Sequence, residues 1–231
     1  MTVAAIIVAA GRGVRMGAEK PKAFLLLRGV SLLERSVGVF LSHPRVNRIV
    51  AAVPDPEAAA RLLGPLAGRV ALVPGGATRQ DSVLAALRSL TPAPDEIILV
   101  HDAARPLVTP EIIDAVIAAA ADSGAAVPAI ATTDTVRQVA ADGVVEATLP
   151  RERLRLAQTP QGFRGGLLRE AYDRAERDGF TGTDDAALVE RAGHRIRLVD
   201  GSANNFKITT PIDLALAEAI LAREAEGHEG V

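Results

Sequence analysis

The 231-residue chain contains no cysteine and no tryptophan, and aromatic residues make up only 3% of it. Without cysteine it can form neither disulfides nor thiolate metal sites, and it has no cysteine nucleophile. The scarcity of aromatic rings argues against a platform on which single-stranded bases stack. These absences narrow the possible functions before any motif is considered.

The chain also lacks a large excess of charge of either sign, with a formal net charge of −2. We therefore expect no general attraction to nucleic acid or to an anionic membrane. The apolar stretch near the start is too short to span a bilayer, and no basic region precedes it. We interpret it as a buried strand and expect a cytoplasmic protein that binds neither nucleic acid nor membrane.

Short apolar runs typical of strands alternate with helical patterns along the chain. The predicted strands are residues 3–9, 48–53, 70–73, 96–101, 125–130 and 195–199. The predicted helices are residues 31–41, 56–63, 80–90, 110–121, 165–177 and 183–191, with a last helix from Thr210. The alternation predicts an α/β fold, a mostly parallel sheet covered by helices on both faces. Loops after Ala9, Val73 and Val100 should then converge on one ligand crevice.

One segment, at about residues 132–150, breaks this alternation. Two β-rich runs flank Asp142-Gly143, and Asp-Gly between such runs is a strong hairpin signal. We predict a β-hairpin inserted in what is otherwise a single domain of residues 1–231. The sequence leaves open whether it is a surface hairpin or a protruding dimerisation arm.

The loop after the first strand is rich in glycine and in positive charge. Its pattern, Gly11-x-Gly13-x-x-x-Gly17, matches neither the dinucleotide fingerprint nor the Gly-Lys-Ser/Thr phosphate loop. Four cations lie in or just after it: Arg12, Arg15, Lys20 and Lys22. Backbone N–H groups and fixed cations together suit a polyphosphate, so we favour a phosphate site over a solvated loop.

Two further loops follow predicted strands. Gly75 and Gly76 would let the backbone approach a flat ligand, but for this loop alone we favour a plain strand–helix turn with Arg79 or Asp81 as a helix cap. Residues 98–106 carry polar groups at the end of an apolar strand: His101, Asp102 and Arg105. An acid there suits a ribose hydroxyl or hydrated Mg²⁺. A packed core histidine and a local Asp–Arg ion pair are the plainer alternatives.

The second half of the chain holds further charged groups with open roles. Arg151, Arg153 and Arg155 alternate, so in an extended chain they would share one face and either bind phosphate or remain solvated. Lys207 is either a ligand contact or a surface lysine. Helix capping explains Asp184 and Asp185 fully.

Seven motifs occur together in order: AAGRGVRMGAEKPKAFLLL, PGGATRQDSV, VHDAARP, TDTV, TPQGF, TDDA and NFKITTPID. Over residues 2 to about 223, the chain resembles the 2-C-methyl-D-erythritol 4-phosphate cytidylyltransferases of the non-mevalonate isoprenoid pathway. The resemblance implies a Rossmann-like nucleotidyltransferase that transfers a cytidylyl group from CTP to 2-C-methyl-D-erythritol 4-phosphate. It also implies a divalent cation, usually Mg²⁺, and a homodimer formed through the β-arms.

The resemblance assigns a role to each matching residue. Arg15 and Lys22 would be the catalytic cations. The nucleotide-binding residues would be Ala9, Ala10, Gly11, Gly13, Gly75, Gly76, Ala77, Ser82, Asp102 and Ala103, with Asp102 also facing the metal. The acceptor-binding residues would be Thr135, Arg151, Thr159 and Lys207, with Thr135 reaching the neighbouring subunit and Arg105 in support. Ala77 departs from the family, which often has an acid there.

Three alternatives remain open on sequence alone. A sister enzyme acting on another polyol phosphate, such as ribitol 5-phosphate, would share the nucleotide half of the site. A dinucleotide-dependent oxidoreductase is disfavoured by the late third glycine and by Pro21. A non-catalytic nucleotide-binding regulator is disfavoured by the presence of Arg15 and Lys22.

Some relatives carry a fused cyclase domain. We expect this chain to have the cytidylyltransferase activity alone.

Overall fold

The computed structural model describes residues 1–11 and 21–228. Strands within these residues are β1 (Val3–Val8), β2 (Leu26–Leu27), β3 (Val30–Ser31), β4 (Arg48–Val53), β5 (Ala71–Pro74), β6 (Ile97–Asp102), β7 (Ala125–Ala131), β8 (Arg137–Val139), β9 (Val145–Thr148), β10 (Arg155–Ala157), β11 (Gln161–Arg164) and β12 (Arg197–Asp200). The helices are α1 (Leu32–Ser42), α2 (Pro56–Leu63), α3 (Arg79–Leu90), α4 (Pro110–Ser123), α5 (Gly165–Asp178), α6 (Asp185–Arg191) and α7 (Pro211–His228). None of these described helices combines the length and apolar character that crossing a membrane requires.

One eight-stranded sheet forms the centre of the fold. Its order is β10-β7-β11-β6-β1-β4-β5, and β12 also pairs with β7. Strand β1 is parallel to both of its neighbours, β4 and β6, whereas β10 and β11 run antiparallel to theirs. The predicted mostly parallel sheet is confirmed. The two antiparallel strands were not predicted, because they are only three and four residues long and carry polar side chains.

Helices cover both faces of this sheet. Successive side chains of a strand point to opposite faces, so Ile6 and Ile7 of β1 enter different cores. Ile7 packs with side chains of α1, α2 and α4, including Phe40. Ile6 packs on the other face with α3, α5 and α6, including Tyr172. Burial on both faces explains why β1 is a continuous apolar run, as parallel central strands usually are.

Strands β8 and β9 pair only with each other, as a two-stranded antiparallel sheet. Gly143 in the turn has a φ of 86°, a conformation that glycine adopts at little cost. The Val144 amide donates to the Asp142 carboxylate at 3.1 Å and closes the turn. The predicted hairpin around Asp142-Gly143 is therefore present. Its role as a protruding dimerisation arm stays a prediction.

The prediction that three alternate arginines share one face of an extended chain is wrong. Arg151–Arg153 form a single 3₁₀ turn, and Arg155 begins strand β10. A 3₁₀ helix has three residues per turn, so side chains two residues apart point in different directions. Arg151 donates instead to the Thr133 carbonyl at 3.0 Å, which links this turn to the residues before the hairpin.

The carboxyl ends of the central strands meet at one edge of the sheet. The Ala103 amide donates to the Val8 carbonyl at 3.0 Å, and the Ala9 amide donates to Ala52 at 2.8 Å. The loop after β5 joins the same edge through the Gly75 amide. The predicted convergence of the loops after β1, β5 and β6 is confirmed, and it defines where a ligand can bind.

Candidate active site

A cavity of about 690 Å³ opens at this edge of the sheet. Most of the predicted site residues line it: Ala9, Ala10, Gly11, Lys22, Gly76, Ala77, Ser82, Asp102, Ala103 and Lys207. Its volume lies within the range of about 300–1,000 Å³ typical of small-molecule sites. Residues predicted from distant parts of the chain to bind a nucleotide therefore share one cavity.

A second cavity, of about 210 Å³, adjoins the first. Arg79, Asp102 and Lys207 line both cavities, so these three side chains form the wall between them. Thr159 and Arg105 line only the smaller one. The site thus has a larger compartment beside β1 and a smaller one beside β11.

The loop between β5 and α3 is ordered by its own polar groups. The Thr78 hydroxyl accepts from the Asp81 amide at 3.1 Å, and the Asp81 carboxylate accepts from the Thr78 amide at 3.0 Å. This capping box confirms the plain capping role for Asp81. The Ser82 hydroxyl accepts from the Gly76 amide at 3.1 Å and donates to the Thr78 carbonyl at 2.9 Å. Ser82 therefore holds the cavity wall in shape.

Packing between two loops explains the glycine at position 75. A Cβ there would lie 2.1 Å from the Cβ of Ala10, which is closer than two carbons can approach. Gly75 does not itself line the larger cavity, whereas Gly76 does. The glycine at 75 is therefore needed so that the β1 and β5 loops can touch, and its contact with the nucleotide stays a prediction.

The Asp102 carboxylate at the end of β6 is held between two cations. Arg79 Nε donates to its Oδ1 at 3.0 Å, and Lys207 Nζ donates to its Oδ2 at 2.6 Å. Burial raises the pKa of Asp102, but the two cations outweigh burial and hold this pKa well below its usual range. The side chain is therefore ionised at every physiological pH. The alternative of a local ion pair with Arg105 does not hold, because the partners of Asp102 are Arg79 and Lys207.

His101 is a packed core histidine, which was one of the two interpretations that the sequence allowed. The ring is fully buried and lies 5.0 Å from the ring of Phe40, centroid to centroid. The Arg105 carbonyl, 3.2 Å from Nε2, can only accept, so Nε2 carries the proton. Nδ1 then accepts from the Thr159 hydroxyl at 3.0 Å. Burial lowers the pKa of His101 to about 4, so the ring is neutral near pH 7.

The Thr159 hydroxyl makes bonds in both directions. It accepts from the Asp102 amide at 3.1 Å and donates its single proton to His101. A hydroxyl has one proton, so donation to an acceptor phosphate would require breaking the bond to the imidazole. The structure thus places Thr159 at the smaller cavity, and its contact with the acceptor stays a prediction.

Arg105 joins two loops beside the smaller cavity. Its Nη1 donates to the Asn205 carbonyl at 2.7 Å, and its Nη2 lies 3.4 Å from the Ala157 carbonyl. Burial lowers the pKa of this guanidinium from its usual value. These contacts fit the predicted supporting role, because they fix the segment that presents Lys207.

Arg79 and Asp185 are the residues that the sequence interpretation missed. Arg79 Nη2 donates to Asp185 Oδ2 at 2.8 Å while its Nε binds Asp102. Asp184 alone caps α6, accepting from the Ala187 amide at 2.9 Å, so capping does not explain Asp185. One signal was available for Arg79. A cation in the first turn of a helix opposes the helix dipole, which indicates a specific anionic partner.

The remaining predicted residues lie elsewhere or outside the described part. Thr135 and Arg151 are exposed and line neither cavity. Gly13 and Arg15 fall among residues 12–20, which lie outside the described residues. The structure therefore assembles the predicted nucleotide side around Lys22 and Asp102. Of the residues predicted to bind the acceptor, Thr159 and Lys207 line the smaller cavity.

Comparison with known proteins identifies the family. A sequence model of the family described as "IspD: 2-C-methyl-D-erythritol 4-phosphate cytidylyltransferase" matches residues 3–223. A protein of that name from Symbiobacterium thermophilum is 48% identical over 96% of this chain and 94% of its own length. A bifunctional enzyme IspD/IspF from Bradyrhizobium is 46% identical over 95% of this chain, which spans 56% of that enzyme.

Solved structures give the same result. The 2-C-methyl-D-erythritol 4-phosphate cytidylyltransferase from Thermus thermophilus superposes with a TM-score of 0.80 at 41% identity, over 95% of this chain and 98% of that one. The Francisella tularensis IspD superposes with a TM-score of 0.83 at 32% identity, over 95% and 99% of the two chains. Fold and cavity together define an α/β nucleotidyltransferase.

Within that class, the chain belongs to the 2-C-methyl-D-erythritol 4-phosphate cytidylyltransferase family, the IspD family of isoprenoid biosynthesis. The resemblance seen in the seven sequence motifs is confirmed. Membership overturns the alternative of a dinucleotide-dependent oxidoreductase.

Proposed function

We propose that this chain transfers the cytidylyl group of CTP to 2-C-methyl-D-erythritol 4-phosphate and releases pyrophosphate, giving 4-diphosphocytidyl-2-C-methyl-D-erythritol. The observation that carries this proposal is the larger cavity, which is lined by Lys22 and Lys207 together with the end of β1 and the buried Asp102 carboxylate. The names of the relatives support the choice of the two substrates. Organisation of residues 1–231 as a single domain is part of the proposal, and the cytoplasmic location stays a prediction.

The chemistry needs fixed cations more than a nucleophile from the protein. A phosphate oxygen of the acceptor attacks the α-phosphorus of CTP in line, and the bond to the bridging oxygen of pyrophosphate breaks. Charge then accumulates on the non-bridging oxygens and on the leaving group. Lys22, which lines the larger cavity, would neutralise that charge together with Arg15. Holding both substrates in line supplies the rest of the rate enhancement.

The nucleotide would lie along the carboxyl ends of β1 and β5. Backbone at Ala9, Ala10 and Gly76 lines the larger cavity, so cytosine and ribose would contact main-chain groups there. Members of the family often have an acidic side chain at position 77, and Ala77 cannot make the contact with the base that such a side chain would make. Ala77 nevertheless lines the larger cavity, so a backbone contact remains available there. A slot shaped by main chain suits a pyrimidine better than the larger purine.

The residues present fit a divalent cation, usually Mg²⁺, bound together with the nucleotide phosphates. Within residues 1–11 and 21–228 no group of three His, Cys, Asp or Glu side chains could hold a metal by itself. Mg²⁺ often uses only one or two carboxylates and takes its other ligands from phosphates and water. Each Asp102 oxygen accepts one hydrogen bond, which leaves lone pairs for a metal. When bound, the cation would offset the phosphate charge.

The acceptor would occupy the smaller cavity, next to Thr159 and Lys207. Arg151 and Thr135 lie near the base of the hairpin and line neither cavity of this chain. We therefore include in the proposal a homodimer formed through the hairpin, in which Thr135 of one subunit completes the acceptor site of the other. This arrangement would explain why a residue predicted to bind the acceptor lines neither cavity of its own chain.

A pyrophosphate-release assay tests the proposed function. Each of the four nucleoside triphosphates is paired with 2-C-methyl-D-erythritol 4-phosphate and with ribitol 5-phosphate, with and without Mg²⁺. We expect release with CTP, 2-C-methyl-D-erythritol 4-phosphate and Mg²⁺, and little with the other pairs. Faster release with ribitol 5-phosphate would contradict the proposed acceptor, and release without any divalent cation would contradict the cofactor.

A further inference from the structure

A fully buried carboxylate lies behind the wall between the two cavities. Asp185 has none of its surface exposed, and Tyr172, which contacts it, is also buried. The Tyr172 hydroxyl donates to Asp185 Oδ1 at 2.5 Å, and Arg79 Nη2 donates to Oδ2 at 2.8 Å. A buried ionised carboxylate is very costly unless it is paired and hydrogen-bonded. Both oxygens of Asp185 are therefore committed to these two partners.

Arg79 connects this buried carboxylate to the one in the site. The same guanidinium that binds Asp185 through Nη2 binds Asp102 Oδ1 through Nε at 3.0 Å. A guanidinium is planar and rigid, so fixing one of its nitrogens fixes the direction of the others. Burial lowers the pKa of Arg79, but the two carboxylates outweigh burial and raise this pKa above its usual value, so the cation is permanent.

The connection crosses three elements of the fold. Tyr172 belongs to α5, Asp185 begins α6 and Arg79 begins α3. These three helices cover the same face of the sheet. Asp102, at the end of β6, is thereby tied through Arg79 to the helices behind the site as well as through Lys207 to the segment in front of it.

We propose that Asp185 is a positioning residue for the transferase site: it holds the Arg79 guanidinium at the angle that keeps the Asp102 carboxylate in place between the two cavities. Asp185 lines neither cavity, so it acts through Arg79 and not on substrate. Tyr172 fixes the other oxygen of Asp185 and completes the support. The kinetic part of the test rests on the proposed function, and the structural part does not.

The molecule offers a matched control for loss of a buried carboxylate. Glu96 is buried at the opposite end of β6, where it accepts from Arg48 at 2.8 and 2.7 Å and from the Ala93 amide at 3.2 Å. Glu96 directly precedes β6 and lies six residue steps from Asp102, a distance of about 20 Å along the strand. Glu96→Gln therefore removes a buried carboxylate–arginine pair at the far end of this strand without touching the site.

The kinetic test compares Asp185→Asn, Tyr172→Phe and Glu96→Gln with the unmodified chain in the pyrophosphate-release assay. We expect Asp185→Asn to lower kcat by about 10–100-fold, as loss of supporting partners around a site does, and to change the KM for CTP by less than about threefold. Tyr172→Phe should lower kcat less, in the same direction. Glu96→Gln should leave kcat unchanged, although thermal unfolding shifts downward in all three variants.

A double variant separates positioning from a general structural role. If Asp185 acts through Arg79, the Asp185→Asn change should cost little further kcat in an Arg79→Gln background, because contacting residues that act as a unit are not additive. Full additivity of the two losses would overturn the proposal. An unchanged kcat in Asp185→Asn, or an equal loss in Glu96→Gln, would overturn it as well.

A crystal structure of Asp185→Asn without ligand gives a readout that does not depend on the substrates. We expect Arg79 Nε to move out of hydrogen-bond distance of Asp102 Oδ1, while the Lys207 contact persists. An unchanged Arg79–Asp102 contact would overturn the proposal even if the variant is inactive. An unmodified chain that shows no pyrophosphate release with any tested pair would count against the proposed function, and the crystal structure would still decide the positioning role.

Discussion

At the scale of single residues, burial and neighbouring charge give the adjacent side chains of His101 and Asp102 opposite states. Burial keeps the imidazole neutral by lowering its pKa to about 4. Two cations keep the neighbouring carboxylate ionised although it is buried too. The end of β6 therefore presents a fixed negative charge with no competing imidazolium, which suits a carboxylate that has to orient a cationic wall or a metal.

Because His101 is buried and neutral, we expect the free energy of unfolding to fall in mild acid. His101 has a folded pKa of about 4, below its unfolded value of about 6.5, so the unfolded chain binds the proton first. Stability from this residue is present above about pH 6.5 and falls as the pH drops toward 4. We expect about 2 kcal/mol less unfolding free energy at pH 5 than at pH 7 from this residue. Urea unfolding at both pH values measures it.

The control for this titration is His101→Gln, which removes the imidazole. This variant should be less stable at pH 7 but should lose clearly less unfolding free energy between pH 7 and pH 5. An identical pH dependence in both chains would show that His101 does not titrate as described. Asp102 does not interfere, because its pKa lies below this window.

If Lys22 stabilises charge in the transition state, its removal should slow the reaction. Lys22→Ala should lower kcat by roughly 10²–10³-fold, because one fixed charge at the reacting phosphorus is lost, while part of the CTP binding remains. Steady-state kinetics and calorimetric CTP binding measure the two effects separately. Arg61→Ala, a cation on α2 with an exposed side chain, is the control and should leave both unchanged. Unchanged turnover in Lys22→Ala would remove this residue from the mechanism.

At the scale of elements, contact between the loops after β1 and β5 makes a glycine indispensable. In Gly75→Ala the new methyl group would overlap Ala10, so we expect a loss of about 1–3 kcal/mol in stability and a lower affinity for CTP. Chemical unfolding and CTP titration measure both. Gly38→Ala is the matched control: a Cβ there meets nothing within 4 Å in helix α1, so stability should stay the same or rise. Equal losses in both variants would contradict the packing argument.

The elements also show what can be predicted from sequence. Apolar runs identify β1, β4 and β6, because strands buried on both faces need no polar residue. Strands β10 and β11 are not identified by an apolar run, because each is short and contains polar side chains such as Arg155 and Gln161. The partner of an ionised side chain is even harder to predict from sequence than a short strand. Nothing local shows that Arg79 meets Asp185, which is 106 residues away.

Most of the residues predicted to bind the nucleotide line the cavities, whereas two of the four predicted to bind the acceptor do not. Backbone positions such as Gly76 and the strand-end acid Asp102 lie where β1, β5 and β6 end, so topology alone brings them together. Arg151 instead lies in a 3₁₀ turn beside the hairpin. Its contact with the Thr133 carbonyl, 18 residues away, is set by packing that no local sequence pattern shows.

At the scale of the whole molecule, the hairpin predicts a dimer. Its residues Val139, Val144 and Val145 are exposed by 55%, 62% and 47%, and a group of exposed apolar side chains on one short element is typical of an interaction surface. We expect Val144→Lys to shift the chain from dimer to monomer in sedimentation and to reduce kcat/KM for the acceptor more than for CTP. Ile212→Lys, at an exposed position of α7, is the control and should do neither. A fully active monomer would contradict the shared acceptor site.

The central claim is that the nucleotide binds at the carboxyl ends of β1 and β6, with Lys22 beside the reacting phosphorus. A crystal structure of the chain with CTP and Mg²⁺ tests it most directly. We expect cytosine and ribose to lie along the β1 and β5 loops. The α-phosphate should lie within hydrogen-bond distance of Lys22 Nζ, and the triphosphate on the Asp102 side of the larger cavity. A nucleotide bound elsewhere, or a Lys22 ammonium turned into solvent away from the α-phosphate, would contradict it.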